Sequence, residues 1–257
     1  MEDTNNTQKV TTHVAFEHQR RVWNKRVSSW EHHGVHGLEK VIASVLEQVK
    51  MEVDGTNPTN CKVLDIGCGT GTLAIPLAKL GFDVLAVDVS PLMIKRLNEI
   101  SEKENISSIK AITSPAEELE IAPGSLDFIV SNYALHHLRD PDKEKIVFKM
   151  ADWVKPNGNV IIGDMMLGRG TTSRDREIIT SKALVMLKKG PKGWWRILKN
   201  LGRYLFRLHE RPISIEAWKK LFIKAGFQDI QTFQVVSEAA IVKASKQPEN
   251  NNFDPSK

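Results

Sequence analysis

Residues 63–71 read Val-Leu-Asp-Ile-Gly-Cys-Gly-Thr-Gly, an apolar run broken by one acid and closed by three alternating glycines. A chain that leaves a buried strand and lets a charged ligand rest on its backbone has to clear side chains away. Gly67, Gly69 and Gly71 allow the positive φ and the close approach that a Cβ would block. Asp65, near the carboxyl end of that strand, puts an acceptor where ligands lie in open α/β sheets. Asp88 ends the next apolar run, where a carboxylate can accept from both hydroxyls of a ribose; locally it also suits an N-cap ahead of Ser90-Pro91. His136 and His137 have the side chain suited to deprotonating a hydroxyl, thiol or ammonium near neutral pH. His136 is the candidate for that role, and His137 reads as a packed loop histidine bonded to backbone.

The spacing narrows the ligand. A dinucleotide loop, G-x-G-x-x-G, would place its third glycine at position 72 to seat a pyrophosphate on a helix N-terminus, and this chain has Thr72 there. The acid followed by G-x-G-x-G instead resembles motif I of the class I S-adenosylmethionine-dependent methyltransferases, within the broad small-molecule group that includes the type 11 and quinone methyltransferases. The resemblance implies that Asp65 holds the methionine ammonium through water, that Gly67, Cys68, Gly69, Thr70 and Gly71 pass beneath the methionine part, and that Asp88 and Val89 take the ribose. Ser114-Pro-Ala-Glu-Glu-Leu119 stands where such enzymes commonly carry Asp-Ala-Glu. Pro115 replaces the acid, which leaves adenine to the Ala116 amide or to Glu117, with Glu118 in a solvated turn.

Asp127 to Leu138 resembles motif IV and its loop, and implies Ser131 and Asn132 beside the transferring methyl. Enzymes that methylate amide or exocyclic nucleobase nitrogens carry Asn/Asp-Pro-Pro-Tyr at this place. Ser131-Asn132-Tyr133-Ala134 lacks that clamp, which argues against those acceptors. The implied reaction is direct displacement of the sulfonium methyl by an oxygen, nitrogen or carbon nucleophile of a small molecule, with S-adenosylhomocysteine as product. Holding the reacting atoms in line supplies much of such a rate, so a strong base is optional.

The elements that must position these residues alternate. Strands are predicted over 61–66, 83–88, 109–113, 126–131, 159–163, 228–233 and 239–244, with helices over 72–80, 90–104, 143–154 and 214–225. Alternation of this kind demands helices on both faces of a mostly parallel sheet. The expected fold is α/β, Rossmann-like and doubly wound, with seven strands, an N-terminal helical cover and a helical lid insert; the resemblance adds that the last strand inserts antiparallel. The expected divisions are a cover over 1–60, a cofactor-binding core over 61–164, a basic lid over 165–211, the rest of the core over 212–245 and a disordered tail over 246–257.

Composition bounds the remaining possibilities. The chain has 257 residues, 41% of them hydrophobic, and a formal charge of +5, which suits one globular catalytic domain. Cys61 and Cys68 flank one strand, so neither a disulfide framework nor a zinc cluster is offered, and a reducing cytoplasm is the expected setting. No leader or spanning run is expected, since Met1 to Lys9 is polar and no apolar stretch approaches about 20 residues. Five of the eight histidines (His13, His18, His32, His33 and His36) crowd the first 36 residues, but their spacing completes no ligand set, so no metal is expected. An amphipathic helix over 16–30 with Trp23 and Trp30 fits a cover over the cofactor.

Residues 165–211 hold twelve Lys or Arg against Asp175, Glu177 and Glu210, an excess of +9 that exceeds the charge of the whole chain. On a helical wheel Trp194, Ile197, Leu198, Leu201, Tyr204, Leu205 and Leu208 share one face and Arg196, Lys199, Arg203 and Arg207 the other, with Trp195 beside the start. One reading is a lid helix packed on the core and solvated outside. Another is a helix lying on anionic lipid at the inner face of the membrane, giving access to a lipid or lipophilic quinone. An RNA or protein substrate ranks last, because a positive surface without a recognisable nucleic-acid module carries no base specificity. Oligomeric state is not legible.

Overall fold

A computed structural model of the chain describes residues 17, 20–25, 36–53, 58–168, 173–187, 190 and 210–248. The elements are α1 (His36–Glu52), β1 (Lys62–Ile66), α2 (Ala74–Lys79), β2 (Asp83–Asp88), α3 (Pro91–Lys103), β3 (Ile109–Thr113), β4 (Leu126–Asn132), α4 (Asp140–Trp153), β5 (Val154–Met165), α5 (Ser173–Leu187), α6 (Ile215–Lys224), β6 (Gln228–Val236) and β7 (Ala239–Ser245), of which α1 and α5 are helices that the apolar spacing did not single out. One seven-stranded sheet has the order β3-β2-β1-β4-β5-β7-β6. Strands β1 to β5 are parallel, and β7 runs antiparallel between β5 and β6.

Period-2 alternation divides the apolar side chains between two cores. Val63, Val84, Phe128, Val130 and Ile161 face α1, α2 and α3, meeting Val41, Val45, Leu77 and Leu97. Leu64, Ile66, Ile129, Val160 and Ile162 face α4 and α6, meeting Ile146, Val147, Met150, Trp218 and Phe222. Each large side chain fully withdrawn from water there contributes about 1.5–3 kcal/mol. α1 lies so close to the sheet that a Cβ on Gly163 would sit 2.6 Å from Val41 Cγ1 and 2.7 Å from Val45 Cγ2.

Two helix starts obey their local chemistry. Ser90 Oγ accepts from Met93 N at 3.2 Å with Pro91 opening α3, and Ser214 Oγ accepts from Ala217 N at 3.2 Å at the start of α6. Each such cap is worth about 1 kcal/mol. Ser90 therefore takes the N-cap role considered for Asp88. Other boundaries move. α4 begins three residues before the expected Lys143, because Pro141 is tolerated in a first turn that Asp140 and Asp142 also favour. Lys155-Pro-Asn-Gly158, a turn-forming sequence directly after the predicted 143–154 helix, lies within β5: Leu126 pairs with Val154 and Phe128 with Asn159, so the four residues bulge out of register.

Of the basic insert, α5 is described. It is tied to the end of β5 by Asp175, which accepts from Gly168 N at 2.8 Å, and by Arg174, which donates to Met166 O and Ser237 O. The amphipathic segment 194–209, with Trp194 and Trp195, lies outside the described residues, as do Trp30, four of the early histidines and 249–257. Of the expected cover, residues 20–24 are helical. Among the described residues no helix is long and apolar enough to cross a membrane.

Candidate active site

The strand order turns back between β1 and β4, and the crevice at such a switch point, outside the carboxyl ends of the strands, is where doubly wound sheets take ligands. A cleft open to solvent occupies this place. Ile66, Gly67 and Gly69 line it from β1, Val87 to Val89 from β2, Ser114 to Glu117 from β3, and Asn132 to Leu135 from β4.

The glycine loop is held by backbone bonds. Gly67 N and Cys68 N both donate to Val87 O, at 2.8 and 3.0 Å, and Gly71 N donates to Cys68 O at 2.9 Å. Gly67 has φ +72°, and a Cβ there would fall 2.2 Å from Ala134 Cβ, so the loops after β1 and β4 touch through the absence of a side chain. Asp88 joins the loops after β1 and β2: its Oδ2 accepts from Gly69 N at 2.9 Å and its Oδ1 from Ser90 N at 2.8 Å. Burial pushes its carboxyl upward while those amides pull it down. A carboxylate offers about four lone-pair sites, so these amides leave it capacity for a ligand.

Asp65 lies beneath this loop at 1% exposure, and its Oδ2 has no partner. Burial, then the neighbouring Asp88 charge, push its carboxyl up to about 8, against the Ala74 amide that favours the ionised form. An orphaned buried acceptor under a floor of glycines fits the ammonium of the methionine part, which would supply the missing counter-charge. Glu117 is likewise raised by burial.

Gly67, Gly69, Asp88, Val89, Ala116, Glu117, Asn132 and Trp23 thus meet at one cleft. Cys68, Thr70 and Gly71 build the loop from behind, and Ser131, fully buried, spends its hydroxyl on Ile66 O at 2.8 Å. Asn132 Oδ1 is buried and unpartnered.

The two histidines sit the opposite way from expectation. They occupy a 3-10 turn, Leu135–His137, and His136 is the inward one, 4% exposed and outside the cleft lining. Its Nδ1 lies 2.5 Å from Asp164 Oδ1, its amide donates to Asp164 Oδ2 at 2.8 Å, and Met165 N completes the carboxylate's partners at 2.7 Å. His137 lines the cleft, with its ring edge-on to Trp23 at 5.0 Å between centroids. Fully buried Lys143 donates to Leu138 O, and Arg211 N donates to His136 O at 2.6 Å, so the turn is fastened on three sides. The segment 20–25 reaches this place too: Ser90 Oγ donates to Asn24 Oδ1 at 2.6 Å, beside Trp23.

Sequence reasoning missed Tyr133, His137, Arg139, Asp142 and Arg211 as lining residues. Tyr133 has one local trace, a φ of +51°, and burial pushes its phenol up to about 12, with Glu238 and Asp164 adding to the shift. Among the described residues no group of three or more His, Cys, Asp or Glu is arranged to hold a metal ion.

Residues 63–158 match the profile of the methyltransferase domain family. A ubiquinone biosynthesis O-methyltransferase of Acinetobacter baumannii (strain ACICU) is 32% identical over 173 residues, spanning 61% of this chain and 70% of that protein. Among solved structures, the magnesium protoporphyrin IX methyltransferase of Synechocystis PCC 6803 with bound S-adenosylhomocysteine superposes with a TM-score of 0.67 at 18% identity, over 91% of this chain and 100% of that one. The phosphoethanolamine N-methyltransferase 2 of Haemonchus contortus in complex with S-adenosyl-L-methionine gives 0.61 at 18% identity, over 88% of this chain and 60% of that one.

Proposed function

The chain belongs to the class I S-adenosylmethionine-dependent methyltransferases, acting on a small molecule, and from that premise we propose how its cleft divides the work. Bound there, S-adenosylmethionine supplies an electrophilic methyl on a sulfonium. Asp65 balances the ammonium from below, Gly67 and Gly69 form the floor, Asp88 takes the ribose hydroxyls, and Ala116 with Glu117 borders adenine. Asn132 and His137 face the acceptor, and His137 takes the proton of a hydroxyl, thiol or ammonium nucleophile. His136 acts through position: the Asp164 carboxylate anchors it, and it turns its neighbour to the cleft. Trp23 excludes water from above. The observation that carries this reading is Asp88, held by Gly69 N and Ser90 N at the end of β2 and lining the cleft.

The test is release of S-adenosylhomocysteine by the purified protein supplied with S-adenosylmethionine and water-soluble or organic-extracted metabolites of its host. Asp88→Ala abolishes turnover and cofactor binding on this assignment; full activity in that variant overturns it.

A second reading makes the acceptor lipophilic and the enzyme peripheral to an anionic membrane. It is supported by the ubiquinone-pathway relative, by the cationic amphipathic pattern over 194–208, and by Leu184 and Leu187, 59% and 43% exposed at the end of α5 just before it. Exchanging Arg196, Lys199, Arg203 and Arg207 for glutamine then removes binding to phosphatidylserine vesicles while cofactor affinity stays; unchanged sedimentation with vesicles sinks it.

A further inference from the structure

Arg211 is a cationic side chain in the wall of the cleft that the cofactor assignment leaves unused. Its backbone amide donates to His136 O at 2.6 Å, which places the residue beside the turn after β4, next to the proposed acceptor side. The other charged groups of the lining are engaged or placed elsewhere. Arg139 donates from Nε and Nη2 to the two oxygens of Asp142, at 2.7 and 3.1 Å, and those two charges cancel. Asp88 is held by backbone amides, and Glu117 sits in the 3-10 turn Ala116–Glu118 that follows β3. No carboxylate among the described residues pairs with the Arg211 guanidinium, although the residue is half-buried. A guanidinium stays charged at every physiological pH, and its planar fork matches two oxygens of one carboxylate or phosphate. The same cleft is lined by rings and an apolar edge, from Trp23, Tyr133, His137 and Leu138.

We propose that Arg211 selects the acceptor: the methyl-accepting molecule carries an oxyanion, carboxylate or phosphate, on a planar or aromatic body, and Arg211 grips that oxyanion while the rings hold the body against His137. The inference rests on the methyltransferase reading of the same cleft. An unengaged cation in a half-buried wall gains a charge-assisted pair when such a ligand enters, and a neutral isostere forfeits it.

The test uses the full-length protein saturated with S-adenosylhomocysteine, titrated calorimetrically with benzoate, phenyl phosphate and phenol, and compares wild type with Arg211→Gln and Arg211→Lys. At least one anion should bind wild type about tenfold or more tighter than phenol, which is the span of a hydrogen bond to a charged group. Which anion does so distinguishes a carboxylate acceptor from a phosphate one. Arg211→Gln should erase that gap while keeping S-adenosylhomocysteine affinity, which also shows that the variant is folded, and Arg211→Lys should restore part of it. Equal binding of phenol and both anions, no binding of any of the three, or a gap that survives in Arg211→Gln overturns the proposal. So does a parallel loss of S-adenosylhomocysteine affinity in the variant, which would put Arg211 on the cofactor's own carboxylate. Failure of wild type to bind S-adenosylhomocysteine at all falls on the underlying reading instead, before any probe is added.

Discussion

Asp65 shows how a residue can be legible in type and illegible in state. Its place before the glycines is readable from spacing, but a carboxyl with one unpartnered oxygen, pushed up to about 8, follows from burial that spacing does not measure. The pH consequence has a definite sign. A carboxyl that holds its proton more tightly folded than unfolded favours the fold at low pH, and that contribution is lost as pH rises from about 4 toward about 8. Asp65→Asn, which cannot ionise, should therefore gain thermal stability relative to wild type over that interval in the ligand-free protein, with the difference levelling above it; a difference in melting temperature independent of pH contradicts the assignment. The histidines make the complementary case. His137→Ala should lower kcat/KM by about 10²–10⁴-fold, read from initial rates of methyl transfer. His136→Ala should cost roughly 1–3 kcal/mol of stability in chemical denaturation, since it leaves the buried Asp164 carboxylate short of a partner. The reverse pattern would restore His136 to the catalytic role. Nothing local separates the two, because adjacent residues in a single 3-10 turn differ only in which side of it the sheet lies.

At the scale of elements, most of the sheet was legible. Period-2 apolar runs, Ser90-Pro91 and Ser214 as helix starts, and the glycine loop depend on relations within a few residues, and β2 and β3 match their predicted bounds. What moved was where two elements compete for one stretch: the Lys155-Pro-Asn-Gly158 signal of a turn yields to pairing along β4 and survives as a bulge. The contact of Gly67 with Ala134 is also between elements. Gly67→Ala should destabilise the protein by roughly 2–4 kcal/mol in urea denaturation, through a left-handed φ unsuited to a Cβ and an overpacked contact. Adding Ala134→Gly should recover the steric part and leave about 1–2 kcal/mol for the backbone. Full recovery would show the φ to be costless, and no recovery would show that the loops part freely.

At the scale of the whole molecule, the segment 20–25 meets the ends of the strands at Asn24 with Ser90 and at Trp23 with His137, between segments 66 residues apart in the first pair. Trp23→Ala should raise the acceptor KM by about tenfold or more and leave the melting temperature within a few degrees, because the residue is half-buried at the rim and outside both cores. A fall in stability with unchanged kinetics would make it a packing residue only. By itself the sequence determined the α/β class, the succession of most strands and helices, and the acids and glycines that come to line the cleft, since these depend on near-neighbour spacing and on the partition of apolar side chains from water. Tertiary structure alone decided which histidine faces the cleft, that Asp164 restrains the other one, and that Arg211 arrives beside them. Those choices are made where the ends of β4 and β5 and the segment before α6 come together. The free energy that fixes them is shared among residues far apart in the chain, so no local window of sequence contains it.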